Sequence, residues 1–419
     1  MNMTVAPGAL QGTVRNVMTS KSQAHRLMIC AGQAEETTRL NAVPPSEDAE
    51  ATLRCLRAMG VEIRETEEGI FLRKGAAAET AELDCGESGS TLRFLLPMAA
   101  AKGITASFTG RGRLASRPLS PLYEEMARHG AVLSPQGRFP LNVFGRLRAG
   151  EYRLAGDVSS QFISGLLMAL PLAEGDSRLL IEGRLESRPY VEMTLETLRA
   201  FGVRTEEQGN CFRIPGGQTF RSPGTVTVEG DWSGAAFWLA AGALSESGVA
   251  CEGLNPASAQ GDRAIVPLLR RFGAEVTETG TAVTVRRGRM RGIEIDAADI
   301  PDLVPVLAVT AACAEGDTRI SGIRRLRLKE SDRAATVAEL IRALGGDAET
   351  SENEMIIHGR SGLRGGTADA FRDHRIAMAA AVAAGGAEKP VTILGAEAVN
   401  KSYPGFFEQL QALGGGILP

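Results

Sequence analysis

The chain has 419 residues, with 46 Lys and Arg against 50 Asp and Glu and a formal net charge of −4. That balance argues against a nucleic-acid protein. Hydrophobic residues make up 43% and aromatic ones only 5%; no apolar run reaches the ~18 residues a membrane span needs, and the length is too great for a single core, so two domains are the prior.

The chain opens on MNMTVAPGALQGTVRNV, which lacks a basic stretch ahead of a long apolar one. No signal peptide is expected, and the expected location is the cytoplasm. Two short strands are predicted here, near Met3–Val5 and Gly12–Val17. From there on a repeat dominates. An amphipathic helix ending in glycine recurs at Gly60, Gly130, Gly202, Gly273, Gly345 and Gly414, spaced 69–72 residues apart. The glycine is read as a helix C-cap in the left-handed conformation. A second phrase, a polar lead-in followed by an apolar helix, starts at Ser20, Glu87, Asp157, Asp231, Asp299 and Asp373. Each unit therefore predicts one buried helix, one amphipathic helix and several strands.

Six units divide as three plus three. The sixth stops at Gly414–Pro419 before any hairpin, so the N-terminal strands are expected to complete it. The expected domains are 19–228 and 229–419, with 1–18 completing the second. Two crossings would join them, making a hinge, and a cleft between hinged domains is a favoured ligand site. If the buried helices aim their N-termini at that cleft, their unpaired N–H groups and partial positive charge suit anions.

The lead-ins are rich in functional side chains. The first supplies Lys21, Ser22 and Arg26. Either Ser20 or Ser22 caps a helix with the cations in solvent, or the lysine, which opposes the helix dipole, answers a bound anion. Gly86–Arg93, GESGSTLR, is a loop of small residues that is not a Walker motif. Arg117 follows in GRGRLASRP, then Ser159, Ser160 and Gln161 at a helix start, then Ser187, Arg188 and Tyr190 in ESRPY. Asp302 is read as one turn into an apolar helix, where a carboxylate is either an N-cap or paired and working. LRLKESDR puts Lys329, Glu330 and Arg333 on one turn; Asp373-His374-Arg375 opens the last buried helix, and Lys401 lies in VNKSYPGFFEQL. Four histidines show no metal-ligand spacing, and six scattered cysteines read as buried free thiols.

Nine pieces in this order resemble the 5-enolpyruvylshikimate-3-phosphate synthases: SKSQAHR, GESGSTLR, SRP, SSQF, SRPY, IPD, LKESDR, DHR and NKSYP. The resemblance runs over essentially the whole chain. It implies an α/β fold of two inside-out domains, each of three repeated βαβαββ-type units, joined by two crossover segments. It implies transfer of the enolpyruvyl group of phosphoenolpyruvate to the 5-hydroxyl of shikimate 3-phosphate, with release of phosphate and no metal or organic cofactor. The expected partners are those two small molecules, with no nucleic acid and no membrane, and the expected state is a monomer. By the same analogy Gly89, in place of an alanine, leaves room for glyphosate, an inhibitor of the family, without fixing sensitivity to it.

By resemblance, Lys21, Gly89, Arg117, Gln161, Arg333, Arg375 and Lys401 hold phosphoenolpyruvate. Ser22, Arg26, Ser159, Ser160, Gln161, Ser187, Tyr190, Asp302 and Lys329 hold shikimate 3-phosphate. Asp302 would take the hydroxyl proton, while Glu330 and Lys21 would move protons at the methylene carbon. The residue types fit, since two polyanions need cations between them and arginine donates two bonds at once. Glu87, Phe94 and Arg325 depart from the residues many members carry, which are asparagine, proline and asparagine. The rival within the same fold is UDP-N-acetylglucosamine enolpyruvyltransferase, which usually carries a reactive cysteine in the loop written here as GRGRLASRP, where there is none. A non-catalytic binding protein on the same repeats would leave Lys21, Asp302 and Glu330 without work.

Overall fold

Strands Thr80–Asp84 and Thr105–Thr109 run parallel, and the hairpin Ala131–Leu133 with Leu141–Gly145 adds two antiparallel strands beside them. A parallel pair needs a crossover, and the apolar helix between the first two strands supplies it. This four-stranded pattern occurs six times in the computed structural model, which describes residues 1–360 and 362–418.

Two kinds of helix alternate along the chain. They are α1 (Lys21–Ala31), α2 (Glu47–Ala58), α3 (Gly89–Lys102), α4 (Leu122–Arg128), α5 (Ser160–Ala169), α6 (Arg188–Ala200), α7 (Trp232–Ala243), α8 (Ile265–Phe272), α9 (Val304–Ala312), α10 (Arg333–Ala343), α11 (His374–Ala383) and α12 (Phe406–Ala412). The odd-numbered ones follow the polar lead-ins. Every residue of α7, α9 and α11 is buried. The even-numbered ones are amphipathic and end at the six repeated glycines, whose φ values run from 73° to 100°. A Cβ is costly in that conformation, which explains the recurrence of glycine.

Ser20, Ser88, Ser159, Asp231 and Asp373 cap their helices through side-chain oxygens. The lead-in at Asp299 behaves differently. α9 begins only at Val304, with Pro305 in its first turn, where a missing N–H costs nothing. Asp302 therefore lies in the turn ahead of the helix, neither one turn inside it nor its cap.

The chain forms two compact units, Thr19–Val228 and Met1–Met18 with Glu229–Pro419. The N-terminal strands divide between two sheets, which corrects the expectation that both complete the sixth repeat. Asn2–Val5 does so, pairing antiparallel with Val391–Leu394 and with Ile417–Leu418. Gly12–Val14 instead pairs parallel with Val249–Cys251 and leads the fourth repeat. Thr225–Thr227 plays the same part in the other domain, parallel to Thr38–Asn41. At each crossing the chain leaves a domain between a strand and the helix that would normally follow it. The strand stays behind and supplies the parallel partner that the first repeat of its domain lacks.

Within Thr19–Val228, α3 and α5 pack so closely that only glycine fits at 165. A Cβ there would run into the Arg93 carbonyl and come within 3.1 Å of Pro97 Cγ. A backbone oxygen cannot rotate away as a side chain can. Gly165→Ala should therefore destabilise the protein by about 1–3 kcal/mol, the usual cost of overpacking. Urea unfolding of this variant beside the wild type measures it; an unchanged midpoint would refute the tight crossing.

Candidate active site

In the domain Thr19–Val228 the helix starts gather polar side chains. Lys21 Nζ lies 2.7 Å from Asp48 Oδ2 in the first turn of α2. A protein carboxylate thus offsets the lysine's unfavourable place at a helix N-terminus. Nothing in the sequence distinguished Asp48 from its neighbours Glu47 and Glu50.

Arg26 points inward from α1 and is only 2% exposed. It donates to Thr194 Oγ1 at 2.7 Å, the Ser22 carbonyl at 2.6 Å, the Tyr190 carbonyl at 2.8 Å and Ser164 Oγ at 3.3 Å. All four acceptors are neutral. Burial pulls the guanidinium down to about 10, so it stays charged at neutral pH. A buried cation held only by neutral oxygens is costly until an anion joins it. Ser187, one residue ahead of α6, is buried at φ 54°, a strained conformation for serine.

Gly89 opens α3. A Cβ on it would stand 2.6 Å from Arg93 Nη1 and 2.8 Å from Arg117 Nη1, so two guanidinium groups converge over a helix N-terminus. Arg93 donates to Gln161 Oε1 at 3.3 Å and to the Pro118 carbonyl at 3.1 Å. Gln161 Nε2 in turn reaches Ser90 Oγ at 3.0 Å, and Gln161 N is held by Ser159 Oγ at 3.3 Å. Gly89, Arg117 and Gln161 are thereby one cluster, with Ser159 and the buried Ser160 at its edge. Cations beside free helix N–H groups suit a phosphate or carboxylate.

The domain Glu229–Pro419, with Met1–Met18, holds the other residues. Arg333 sits at the centre, 1% exposed, at the start of α10. It donates to Asp302 Oδ1 at 2.6 Å, to Glu330 Oε2 at 2.8 Å, and to Asp373 Oδ2 and Oδ1 at 2.8 and 3.2 Å. Arg375 Nη2 lies 3.1 Å from Asp302 Oδ2, and Lys329 Nζ lies 3.5 Å from Asp302 Oδ1. Burial pushes the Asp302 carboxyl up, but Arg375, Lys329 and Arg333 outweigh it and hold it well below the usual carboxylate range. Burial pulls Lys329 down to about 8, with Asp302 and Glu330 opposing and Arg333 and Arg325 assisting. Lys401 is buried at the end of the turn Ala396–Lys401. Tyr403, two residues on, pins that segment by accepting the Trp238 indole N–H at 3.0 Å.

The family model described as EPSP synthase (3-phosphoshikimate 1-carboxyvinyltransferase) matches residues 5–410. The chain belongs to the EPSP synthase family. A protein of Clostridium kluyveri named 3-phosphoshikimate 1-carboxyvinyltransferase is 41% identical over 99% of this chain and 98% of its own length. One of the same name from Clostridium acetobutylicum is 40% identical over 99% and 97%. The solved EPSP synthase of Acinetobacter baumannii superposes with a TM-score of 0.82 at 28% identity and 100% coverage of both chains. The two-domain α/β fold of six repeats is therefore that of an EPSP synthase, and the protein is an enzyme of this family.

Against this family pattern, the departing residues acquire local explanations. Phe94 is buried on α3 and carries the Arg26 guanidinium 5.0 Å from its ring centre. Arg325 is buried and acts on Lys329 as a second cation. Glu87 packs against Gly112 of the GRGRLASRP loop. All six cysteines are free thiols, five of them buried, and none lies in that loop. Among the described residues no His, Cys, Asp and Glu group is arranged to hold a metal, and no helix is long and apolar enough to cross a membrane.

Sequence reasoning singled out most of these side chains but not their partners. Asp48, Ser164, Thr194 and Ser331 carried no signal, although Ser331 Oγ donates to Asp373 at 3.0 Å in the centre of the Arg333 cluster. Asp373 was visible only as the head of a helix, yet it is the residue that fixes Arg333.

Proposed function

We propose that the protein transfers the enolpyruvyl group of phosphoenolpyruvate to the 5-hydroxyl of shikimate 3-phosphate and releases phosphate. The observation that carries this reading is Asp302, a half-buried carboxylate held among Arg333, Arg375 and Lys329. At rest those cations make Asp302 a weak base. An incoming dianion competes for them, so substrate binding itself frees Asp302 to accept the hydroxyl proton.

In this mechanism the hydroxyl oxygen bonds to C2 of phosphoenolpyruvate as Asp302 takes its proton. A proton delivered by Glu330 or Lys21, the residues assigned to this step, saturates the methylene carbon, giving a tetrahedral intermediate. Loss of a proton from that carbon then expels phosphate and restores the double bond. Gly89, Arg117, Gln161, Arg333, Arg375 and Lys401 are assigned to phosphoenolpyruvate along with Lys21. Support comes from the convergence of Arg117 on the α3 N-terminus beside Gly89. Ser22, Arg26, Ser159, Ser160, Ser187, Tyr190 and Lys329 are assigned to shikimate 3-phosphate together with Gln161 and Asp302. Here the neutral surroundings of the Arg26 cation support the reading. Arg333 fits its assignment only if ligand oxygens displace one of its present carboxylates. The same reading makes the protein a cytoplasmic monomer.

Phosphate release from phosphoenolpyruvate should require shikimate 3-phosphate. UDP-N-acetylglucosamine should not replace it, and fosfomycin, which needs a loop thiol, should leave the activity intact. Release dependent on the nucleotide sugar instead would overturn the proposal.

A further inference from the structure

His25 stands beside Arg26 on α1, with no exposed surface and no part in the reaction as proposed. Its Nδ1 lies 2.7 Å from Thr52 Oγ1 on α2. Thr52 Oγ1 lies 2.6 Å from Thr91 Oγ1 on α3, and Thr91 Oγ1 lies 2.7 Å from Oγ of Ser88, the α3 cap. All four residues are fully buried. An unbroken line of hydrogen bonds therefore ties α1, α2 and the N-terminus of α3 together and ends one residue from Gly89. Ser88 Oγ also accepts the Thr91 N–H at 3.2 Å, so the cap of α3 belongs to the same line. The other ring nitrogen, Nε2, has no partner.

Proton counting gives the line a direction. A threonine hydroxyl has one proton to donate. Thr91 gives its proton to Ser88 Oγ, with the Asp48 carbonyl at 3.5 Å as the second acceptor in reach. Thr52 must then donate to Thr91, and the bond between Thr52 and His25 must be donated by the ring, as an Nδ1–H. The opposite order would put the proton on Nε2, where a buried N–H would lack an acceptor, and such orphaned donors are rare. We infer that His25 is a positioning residue for the anion site at the α3 N-terminus: as a neutral Nδ1–H imidazole it sets the direction of the Thr52–Thr91–Ser88 line and so fixes the cap and first turn that present Gly89. The surroundings keep the ring neutral. Burial pulls it down to about 3, against Asp48 and with Lys21 and Arg26. Phe94 packs edge-to-face on it, with centroids 6.5 Å apart.

The inference rests on the proposed reaction, and the wild type separates the two. If it fails to turn over phosphoenolpyruvate with shikimate 3-phosphate, the reaction is wrong; if it turns over, His25 is decided by a spectrum and by variants. Nitrogen-15 NMR of histidine-labelled protein, with a His25 variant to identify the signal among four histidines, should show a protonated Nδ1 and a bare Nε2. Neither should change from about pH 5 to about pH 8, where an ordinary histidine titrates. His25→Leu leaves Thr52 without its donor, so the KM for phosphoenolpyruvate should rise by roughly tenfold, within the range for one buried partner lost. The kcat and the KM for shikimate 3-phosphate should change little. Thr52→Val keeps the bulk, removes the hydroxyl and should reproduce that rise, which keeps the test open should His25→Leu not fold. His25→Asn offers an amide N–H in the place of Nδ1 and should recover most of the loss. A proton on Nε2 would overturn the assignment. So would a folded His25→Leu or Thr52→Val that loses Tm while keeping the wild-type KM, or a His25→Asn as impaired as His25→Leu.

Discussion

Asp302→Asn should lower kcat by about 10²–10⁴-fold, the range lost with a general base. The substitution keeps the shape of the side chain and its place ahead of α9, and removes the charge that Arg333, Arg375 and Lys329 surround. Glu330→Gln should fall in the same range, for its carboxylate is held by Arg333 at 2.8 Å and is the acid assigned to the methylene carbon. Shikimate 3-phosphate affinity should change by less than about tenfold, or ~1.4 kcal/mol, in either variant. The KM for phosphoenolpyruvate should not rise in Asp302→Asn, since the variant releases Arg375 from an internal partner and does not remove it. A large rise would mean that the cation cluster had collapsed. Near-normal turnover by a folded double variant would show that neither carboxylate carries a proton in the reaction.

Arg333→Met should cost about 3–5 kcal/mol of stability, the price of leaving buried charges without their partner. The side chain is 1% exposed and binds three carboxylates, from Asp302, Glu330 and Asp373. Burial pulls its guanidinium down, yet Asp373, Glu330 and Asp302 together raise it well above its ordinary value, so it is charged whenever the protein is folded. Methionine matches the bulk and leaves the carboxylates facing one another in a poorly solvated place. Asp373, fully buried and the cap of α11, is the one least able to reach water. Arg333→Met with Asp373→Asn should therefore recover part of the loss, because the two residues are coupled directly. Guanidinium or urea unfolding of the single and double variants measures this. Additive losses, or a single variant as stable as the wild type, would show that Arg333 is not the hub of the cluster.

Much of the fold was legible because it is written locally. Helix period, lead-in caps and left-handed glycines are short-range features, and the repeat displays the period and the glycines six times and the caps five times, so that chance resemblance is suppressed. The fate of Gly12–Val14 was not legible. It and Asn2–Val5 are both short alternating segments, and nothing local tells a strand which sheet it joins; the choice is made by a parallel partner at Val249–Cys251. Asp302 was misplaced for the opposite reason: the apolar run looked continuous, and the helix start was set by where prolines are tolerated.

The sequence by itself determined the six units, the two classes of helix, the family resemblance and the residue types that two polyanions require. Those depend on pattern and on side-chain chemistry, which a linear string carries. Only the tertiary structure decided which charges meet. Arg333 and Asp373 are 40 positions apart, Arg375 and Asp302 are 73 apart, and Arg26 and Tyr190 are 164 apart. A charged residue at a helix start is the same letter whether it faces water or another charge. Desolvation and pairing, which shift Asp302 and Lys329 from their ordinary values, arise only when separate helices place those letters side by side.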